Sequence, residues 1–391
     1  MELLNFAGEQ MNYQPKRKKY ILCFSQIMIS LVMILACNQT IYSQTKSGSD
    51  KNKLIKQAVS KIVNDGKATG MIAAITSSEG VIAIGAAGTR KSGSKVPITS
   101  DDLIHLGSCT KAMTSTLIGT LVAEGKLRWE MKLIEAIPEL KEIIHSDYHE
   151  VTLWQLLTHR AGIKKNAADW SAFLEQEIKE RRLSIIKENL MAPPGLTPGE
   201  FHYSNFGYMI AACMAEKITG LSWESLIKKR LFDPLGMSLA GFGAPNTHDQ
   251  IDQPWGHSNP WSGNKWQPDQ TDNSEALGPA GRVHCNIKDW AKFLSLFLTK
   301  KNPVLDGKYL KKLITPIGFY AGGWGVVEQK WADGAVLTHN GSNGIWYASV
   351  TVAPKLNRTY IVVTNSCDFG STPGICNEIL KKLVRMELNF R

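Results

Sequence analysis

Segments typical of β-strands lie near both ends of the chain, and a long helical stretch separates them. Each is short, rich in Ile, Val, Ala or Thr, and bounded by Gly, Asp, Asn or Ser. The predicted strands are Gly70–Ile75, Gly80–Ala86, Gly323–Val327, Ala335–His339, Ile345–Ala353 and Thr359–Thr364. A sheet built from both ends of a chain must carry the middle as an insertion. The pattern therefore predicts an α+β fold, with a sheet part near residues 53–107 and 300–391 and a helical part near 125–299.

Helical periodicity accounts for most of the remaining chain. Apolar residues recur at intervals of three and four, and several of these segments end at a glycine. The predicted helices are 53–64, Met113–Glu124, Leu153–Leu157, Ala168–Asn189, Phe206–Lys217, Trp223–Leu231, Lys288–Leu298 and Gly374–Leu388. Residues 243–275 are predicted to be a loop, with tryptophans among polar residues.

The first 43 residues have the composition of an export signal. A basic segment, Lys16-Arg17-Lys18-Lys19, precedes a nearly uncharged apolar run that ends at Ala36. Two cleavage positions stay open: a lipoprotein cut before Cys37, or an ordinary cut after Ser43. A retained membrane anchor is a third interpretation, at the short limit for a spanning helix. We therefore expect a signal at 1–43, a linker at 44–52 and one domain at 53–391, periplasmic or lipid-anchored to the cell envelope.

Charge and cysteine content restrict the partners. The formal net charge is +10, which attracts an exported protein to anionic cell-wall polymers and lipid head groups. The lysines are scattered, which argues against nucleic acid. The cysteines after the signal do not resemble a disulfide framework, although Cys367 and Cys376 could pair. His145 and His149 have the spacing of helical metal ligands but no third partner, so we predict no metal.

A serine and a lysine lie three residues apart where a loop enters an apolar helix, at Ser108 and Lys111. On a helix these positions share a face, so the lysine can reach the serine oxygen. Burial in the apolar helix would lower the lysine pKa and make it a base for the serine. The same spacing also occurs in polar loops and on surface helices, at Ser92, Ser184, Ser225 and Ser262. Ser108 is the candidate nucleophile, and a helix N-cap with a salt-bridging lysine is the alternative.

Two further motifs contain residues suited to catalysis or substrate binding. Tyr203-Ser204-Asn205 lies between a turn and a helix, where the tyrosine could relay protons and the asparagine could bridge lysine and substrate. A buried tyrosine beside an Asn helix cap is the alternative. His339-Asn340-Gly341-Ser342 follows a predicted strand, where the glycine admits a substrate backbone and Ser342 N–H can bind an oxyanion. Asn-Gly is also a strong hairpin signal, and both interpretations can hold. No Gly-x-Ser-x-Gly elbow occurs.

In this order, the motifs Ser108-x-x-Lys111, Tyr203-x-Asn205 and His339-x-Gly341 resemble those of the serine β-lactamase-like hydrolases. This family includes class C β-lactamases, penicillin-binding DD-peptidases, esterases and D-aminopeptidases. Further stretches that look like family signatures are Leu156–Ile163, Phe232–Met237 and Gly278–Gly281. The resemblance covers roughly residues 55–385.

The resemblance implies a β-lactamase/transpeptidase-like fold, in which flanking helices and an inserted, mostly helical domain accompany an antiparallel sheet. It implies acylation of Ser108, with Lys111 and Tyr203 handling the protons. It also implies a binding role for Asn205, His339 and Gly341, and oxyanion donors at the N–H groups of Ser108 and Ser342. No metal or organic cofactor is needed.

Two departures from the family pattern affect the expected substrate. His339 stands where β-lactamases and DD-peptidases usually have lysine, and histidine near pH 7 is mostly neutral. Arg282 follows Ala280-Gly281 where another glycine is usual; it either supplies the missing positive charge or is an ordinary surface residue. We expect a serine hydrolase acting on a small ester, amide, β-lactam or D-amino-acid peptide. The alternative is a non-hydrolytic protein of the same fold that binds peptidoglycan fragments.

Overall fold

A computed structural model describes residues 48–259, 266–299 and 302–389. The predicted export signal, with Cys37, and the first residues of the predicted linker lie outside these ranges. Residues 48–52, which we expected in the linker, are helical. Among the described residues, no helix has the length and apolar character needed to cross a membrane.

The predicted strands and helices occur in the expected order, together with short elements that were not predicted. The strands are β1 (Gly70–Ser77), β2 (Gly80–Gly88), β3 (Ile104–His105), β4 (Gly241–Phe242), β5 (Gly256–Ser258), β6 (Gln267–Asp269), β7 (Val283–Cys285), β8 (Gly325–Gln329), β9 (Gly334–Ser342), β10 (Tyr347–Ala353) and β11 (Arg358–Thr364). The helices are α1 (residues 48–64), α2 (Thr110–Ala123), α3 (Leu133–Ala136), α4 (Leu153–Leu157), α5 (Ile178–Leu190), α6 (Asn205–Thr219), α7 (Trp223–Ile227), α8 (Asp233–Leu235), α9 (Gly278–Gly281), α10 (Ile287–Ser295), α11 (Gly307–Ile314) and α12 (Thr372–Asn389).

Six antiparallel strands form the central sheet in the order β2-β1-β11-β10-β9-β8. Both ends of the chain contribute, as predicted. Strand β1 is buried along its whole length, because successive side chains enter two different cores. Met71 and Ala73 pack with α1 and α12, whereas Ile72 and Ala74 join the larger core that contains α2. The predicted α+β architecture, with an antiparallel sheet built from both chain ends and flanking helices, is confirmed.

Helix α2 lies at the centre of the larger core. Every residue from Thr110 to Leu121 is buried, which is typical of a helix that other elements surround on all sides. Helices α6, α9 and α11 pack around it. Helix α6 begins at the cap Ser204 and ends at Gly220, whose φ of +74° closes it as the sequence predicts.

Two local predictions and one alternative interpretation were wrong. Helix α5 begins at Ile178, because residues 168–177 form turns in which the Asp169 side chain accepts a backbone hydrogen bond. Residues 243–275 are not all loop, since they contain β5 and β6. Asn340-Gly341 is not a hairpin turn: both residues stay paired with β10, and the chain turns two residues later. The thiols of Cys367 and Cys376, for which a pairing was open, are free and buried.

Candidate active site

Ser108 lies in a single 3-10 turn, Gly107–Cys109, between β3 and α2. Its side chain makes no capping bond, and Cys109 occupies the N-cap position of α2, so the alternative role as a helix cap is excluded. The turn requires a glycine before the serine. Gly107 has a φ of +49°, and a Cβ there would come within 2.2 Å of Ser342 N. This close contact leaves Ser108 partly exposed beside β9.

Lys111 is fully buried beside Ser108. Its Nζ lies 3.1 Å from Ser108 Oγ, 2.7 Å from Asn205 Oδ1 and 2.8 Å from the carbonyl oxygen of Ala280. The amide and carbonyl oxygens can only accept hydrogen bonds, whereas a hydroxyl can also donate one. A neutral amine would therefore give its two N–H groups to Asn205 and Ala280 and present its lone pair to the Ser108 hydroxyl.

The electrostatics of Lys111 favour that neutral form. Burial lowers the lysine pKa well below its ordinary value of 10.5, and the charge of Lys165 lowers it further. No carboxylate within hydrogen-bonding distance of Nζ opposes this effect, since all three contacts are to neutral oxygens. A deprotonated lysine in contact with a serine hydroxyl has the arrangement of a general base beside its nucleophile.

Ser204 sets the positions of Tyr203 and Asn205 at the start of α6. Its hydroxyl accepts a bond from Gly207 N–H and donates to the Lys164 carbonyl, so the serine, not Asn205, is the helix cap. Asn205 is left free to accept from Lys111 through Oδ1, while its Nδ2 donates to Asn166. The structure thus brings the second motif against the first.

Tyr203 lies directly over the lysine. Lys111 Nζ is 4.8 Å from the centre of its ring. Burial raises the tyrosine pKa, and a hydrogen bond with Ser108 offsets this only in part. At neutral pH the phenol therefore keeps its proton, which it can give to a departing group.

The backbone of β9 passes very close to Ser108. A Cβ on Gly341 would lie 2.0 Å from the Leu106 carbonyl oxygen and 2.7 Å from Ser108 N, so only glycine fits. The next residue is Ser342, and a Cβ on Gly107 would lie 2.2 Å from its backbone N. The two predicted oxyanion donors, the N–H groups of Ser108 and Ser342, thus lie on neighbouring backbone segments, which approach closely because Gly107 and Gly341 have no side chains.

His339 is in the site but is not presented as a free cation. It is 8% exposed, its Nε2 lies 3.2 Å from Tyr320 Oη, and its Nδ1 lies 2.7 Å from the Asn340 carbonyl oxygen. Because the carbonyl can only accept, Nδ1 donates and Nε2 accepts from Tyr320. Burial and the proximity of Lys111 lower the His339 pKa to about 3. The imidazole is therefore neutral and cannot replace the charge of a lysine.

Arg282 does not supply that charge either. Its side chain is 18% exposed, and its Nε donates to Asp272 at 3.0 Å. The guanidinium is thus paired with a carboxylate beside the site, and it is neither a free surface arginine nor a free cation.

Two aromatic residues of the site had no predicted role. His159, in the segment that resembles the family, is buried and stacks on Tyr203 with ring centres 4.4 Å apart. Its Nδ1 accepts from Ser204 N–H, which links α4 to the second motif. Tyr320 packs on His159 and donates to His339. Tyr320 is isolated in the sequence, and no spacing pattern could have indicated it.

The serine–lysine pairs and the histidine pair that the sequence analysis set aside are as follows. Ser184, on α5, donates to Gln176, and the Ser262 pair lies outside the described ranges. His145 Nδ1 lies 3.6 Å from Asp147 Oδ2. Within the residues that the structure describes, no cluster of three or more His, Cys, Asp or Glu side chains could hold a metal ion.

Several known proteins resemble this chain in sequence and in fold. The family model described as Beta-lactamase matches residues 55–374. A penicillin-binding protein 4 from Amycolatopsis lactamdurans is 25% identical over 76% of this chain and 81% of its own length. An unguisins hydrolase from Aspergillus campestris is 22% identical over 73% of this chain, which spans 57% of that protein.

Among solved structures, the D-amino acid amidase from Ochrobactrum anthropi superposes with a TM-score of 0.70 and 20% identity. The match covers 88% of this chain and 99% of the amidase. The family model extends over the sheet, α2 and all three motifs, and the superposition shows the same fold. The chain therefore belongs to the beta-lactamase family.

Proposed function

We propose that the protein is a serine hydrolase that forms an acyl-enzyme on Ser108. The observation that carries this proposal is the environment of Lys111 Nζ, where two oxygens that only accept leave the third contact, to Ser108 Oγ, for the amine lone pair. A peptidoglycan-binding protein without catalysis would not need a buried, deprotonated lysine at this position.

In the acylation step, Ser108 Oγ attacks the substrate carbonyl carbon as its proton passes to Lys111. The N–H groups of Ser108 and Ser342 stabilise the negative charge that develops on the carbonyl oxygen. Tyr203 then protonates the leaving alcohol or amine and recovers its proton from Lys111. This accounts for one proton and leaves an ester between the acyl group and Ser108.

In the second step, water attacks that ester. The same lysine and tyrosine remove a proton from the water, and Ser108 Oγ takes a proton as it leaves. The carboxylic acid product is released and the free enzyme is restored. Each step uses only side chains and backbone groups of the site.

The site favours esters or amides that carry no carboxylate next to the scissile bond. His339 is neutral, and Arg282 is paired with Asp272, so neither offers a free cation to such a group. Similarity to a D-amino acid amidase supports amides as substrates, and similarity to an unguisins hydrolase supports hydrolysis. β-Lactams, which present a carboxylate, are expected to be poorer substrates.

We also propose that the protein works outside the cytoplasm, in the periplasm or anchored to the envelope. Support comes from the basic segment and the apolar run in the first 43 residues. Fractionation of cells that express the full chain, with and without substitution of Cys37, separates lipid anchoring from ordinary secretion.

The function is tested with a small substrate panel: p-nitrophenyl acetate, D-phenylalanine p-nitroanilide and nitrocefin. Wild type is compared with Ser108→Ala, and Ser184→Ala serves as a matched control because it also precedes a lysine by three residues. We expect turnover of the ester or anilide by wild type and by Ser184→Ala, and none by Ser108→Ala. Equal turnover by all three proteins, or none by any, would contradict the proposal.

A further inference from the structure

The carboxylate of Asp272 lies at the meeting point of three segments that carry the site. Its Oδ1 is 3.0 Å from His105 Nε2 and 3.1 Å from Asn343 Nδ2, and its Oδ2 is 3.0 Å from Arg282 Nε. The side chain is 9% exposed. Although burial by itself would raise the Asp272 pKa, bonds from these partners hold it at about 2. The group is thus a buried carboxylate that is charged near neutral pH.

The first link runs to the nucleophile. His105 is fully buried, and its Nδ1 accepts from Gly107 N–H at 3.1 Å. With Nδ1 accepting, the ring proton is on Nε2, which faces Asp272. The imidazole therefore connects the carboxylate to the residue directly before Ser108.

The second link runs to the other oxyanion donor. Asn343 follows Ser342 in the chain and donates to Asp272 through Nδ2. Its Oδ1 accepts from the N–H groups of Ile345 and Trp346, which closes the turn between β9 and β10. The same carboxylate thus holds the turn that follows Ser342.

The third link runs to the lysine. Arg282 lies two residues after Ala280, whose carbonyl oxygen accepts from Lys111 Nζ. Arg282 also follows α9 directly, and its pairing with Asp272 holds the end of this helix. The Asp272 carboxylate is therefore linked to chain segments next to both oxyanion donors, Ser108 and Ser342. It is also linked to the segment that carries the Ala280 carbonyl, which accepts from Lys111.

We propose that Asp272 is a positioning residue that holds the Ser108 turn, the Ser342 turn and the Ala280 carbonyl in register for acylation. It touches no reacting atom and acts through His105, Asn343 and Arg282. The inference rests on the proposed function and adds to it a residue from outside the three motifs.

The substitution Asp272→Asn tests this. Arg282 and Asn343 donate hydrogen bonds to the carboxylate, and His105 Nε2 lies 3.0 Å from it. An amide of the same shape would turn one of its own N–H groups toward these nitrogen atoms. The control is Asp289→Asn, since Asp289 is 3% exposed and also accepts from a lysine and a backbone N–H, but on α10. Kinetics on the best panel substrate and hydrogen–deuterium exchange are measured for both variants.

For Asp272→Asn we expect kcat to fall about 10- to 100-fold with KM within about twofold, because misplaced groups cost rate more than binding. Backbone exchange should accelerate in residues 103–109 and 340–346. The control should keep its kcat and its protection in both segments. A kcat equal to that of the control, or a loss confined to KM, would overturn the proposal.

The exchange measurement is independent of turnover. If wild type lacks Ser108-dependent activity, the proposed function fails, and unchanged protection of the two segments in Asp272→Asn would then overturn the positioning role as well. If wild type is active and Asp272→Asn behaves like the control, only the positioning role fails.

Discussion

Gly341 lies so close to Leu106 that a Cβ on the glycine would come within 2.0 Å of the leucine carbonyl oxygen. This contact holds β9 against the turn that carries Ser108. It explains why the third motif needs glycine, independently of any space that a substrate requires.

Gly341→Ala should therefore separate β9 from the Ser108 turn and misalign the two oxyanion donors. A displacement near 1 Å is expected to lower kcat about 100-fold. The matched control is Gly307→Ala, because a Cβ at Gly307 meets no atom within 4 Å. Steady-state kinetics measure both variants, and equal rates would show that the close approach is unimportant.

The lowered pKa of Lys111 predicts a pH dependence. The neutral amine is the base, so kcat/KM should rise with pH through the lysine pKa, at a value well below 10.5. Because the Tyr203 pKa is raised, no loss of activity from its ionisation is expected below about pH 10. A pH–rate profile of wild type checks the rise, and Lys111→Arg should lower the rate about 100- to 10,000-fold. An activity that falls between pH 7 and 9 would contradict this role.

Tyr320→Phe should destabilise the protein through His339. Loss of the phenol leaves the buried Nε2 without its donor, at a cost of about 1–3 kcal/mol in the free energy of unfolding. Urea denaturation measures the change, with Tyr309→Phe on α11 as a partly exposed control. Equal unfolding midpoints for the two variants would show that the Tyr320–His339 bond does not contribute.

A buried ion pair supports the helical part. Arg182 is fully buried, and its two terminal nitrogens donate to Glu216 and Glu224 at 2.5 Å. Arg182→Met should cost about 3–5 kcal/mol, since it leaves Glu216 buried without its cation. Lys61→Met, which breaks an exposed pair with Asp65, should cost at most about 1 kcal/mol.

The same variant predicts a pH effect on stability. Burial already raises the Glu216 pKa in the folded protein, and loss of the arginine should raise it further. When the pKa of a carboxyl group is higher in the folded than in the unfolded state, the free energy of unfolding of the protein falls as pH rises. The unfolding free energy of Arg182→Met should therefore be lower at pH 8 than at pH 5. A difference of the opposite sign would exclude Glu216 as the cause.

The sequence predicted the elements that depend on local pattern. The strand segments rich in Ile, Val, Ala or Thr, the buried helix after Ser108 and the cap glycine Gly220 all lie close to where composition and periodicity place them. The structure of one motif segment depended on tertiary contacts. Asn340-Gly341 favours a turn locally, but pairing with β10 keeps both residues extended.

Asp272 and Tyr320, which support the site, could not be predicted from the sequence because their contacts are also tertiary. Asp272 falls in a stretch predicted as loop, and its partners are more than 150 residues away at His105 and about 70 away at Asn343. Tyr320 likewise reaches His339 only because β8 and β9 pair. No spacing rule connects such positions in one sequence.

The central claim is that Ser108 is the nucleophile, and covalent labelling tests it most directly. Wild type, Ser184→Ala and Ser108→Ala are treated with a fluorophosphonate, and intact mass and peptide mapping locate the adduct. The account predicts one adduct per chain, on Ser108, in the first two proteins and none in the third. An adduct on another residue, or equal labelling of Ser108→Ala, would contradict it.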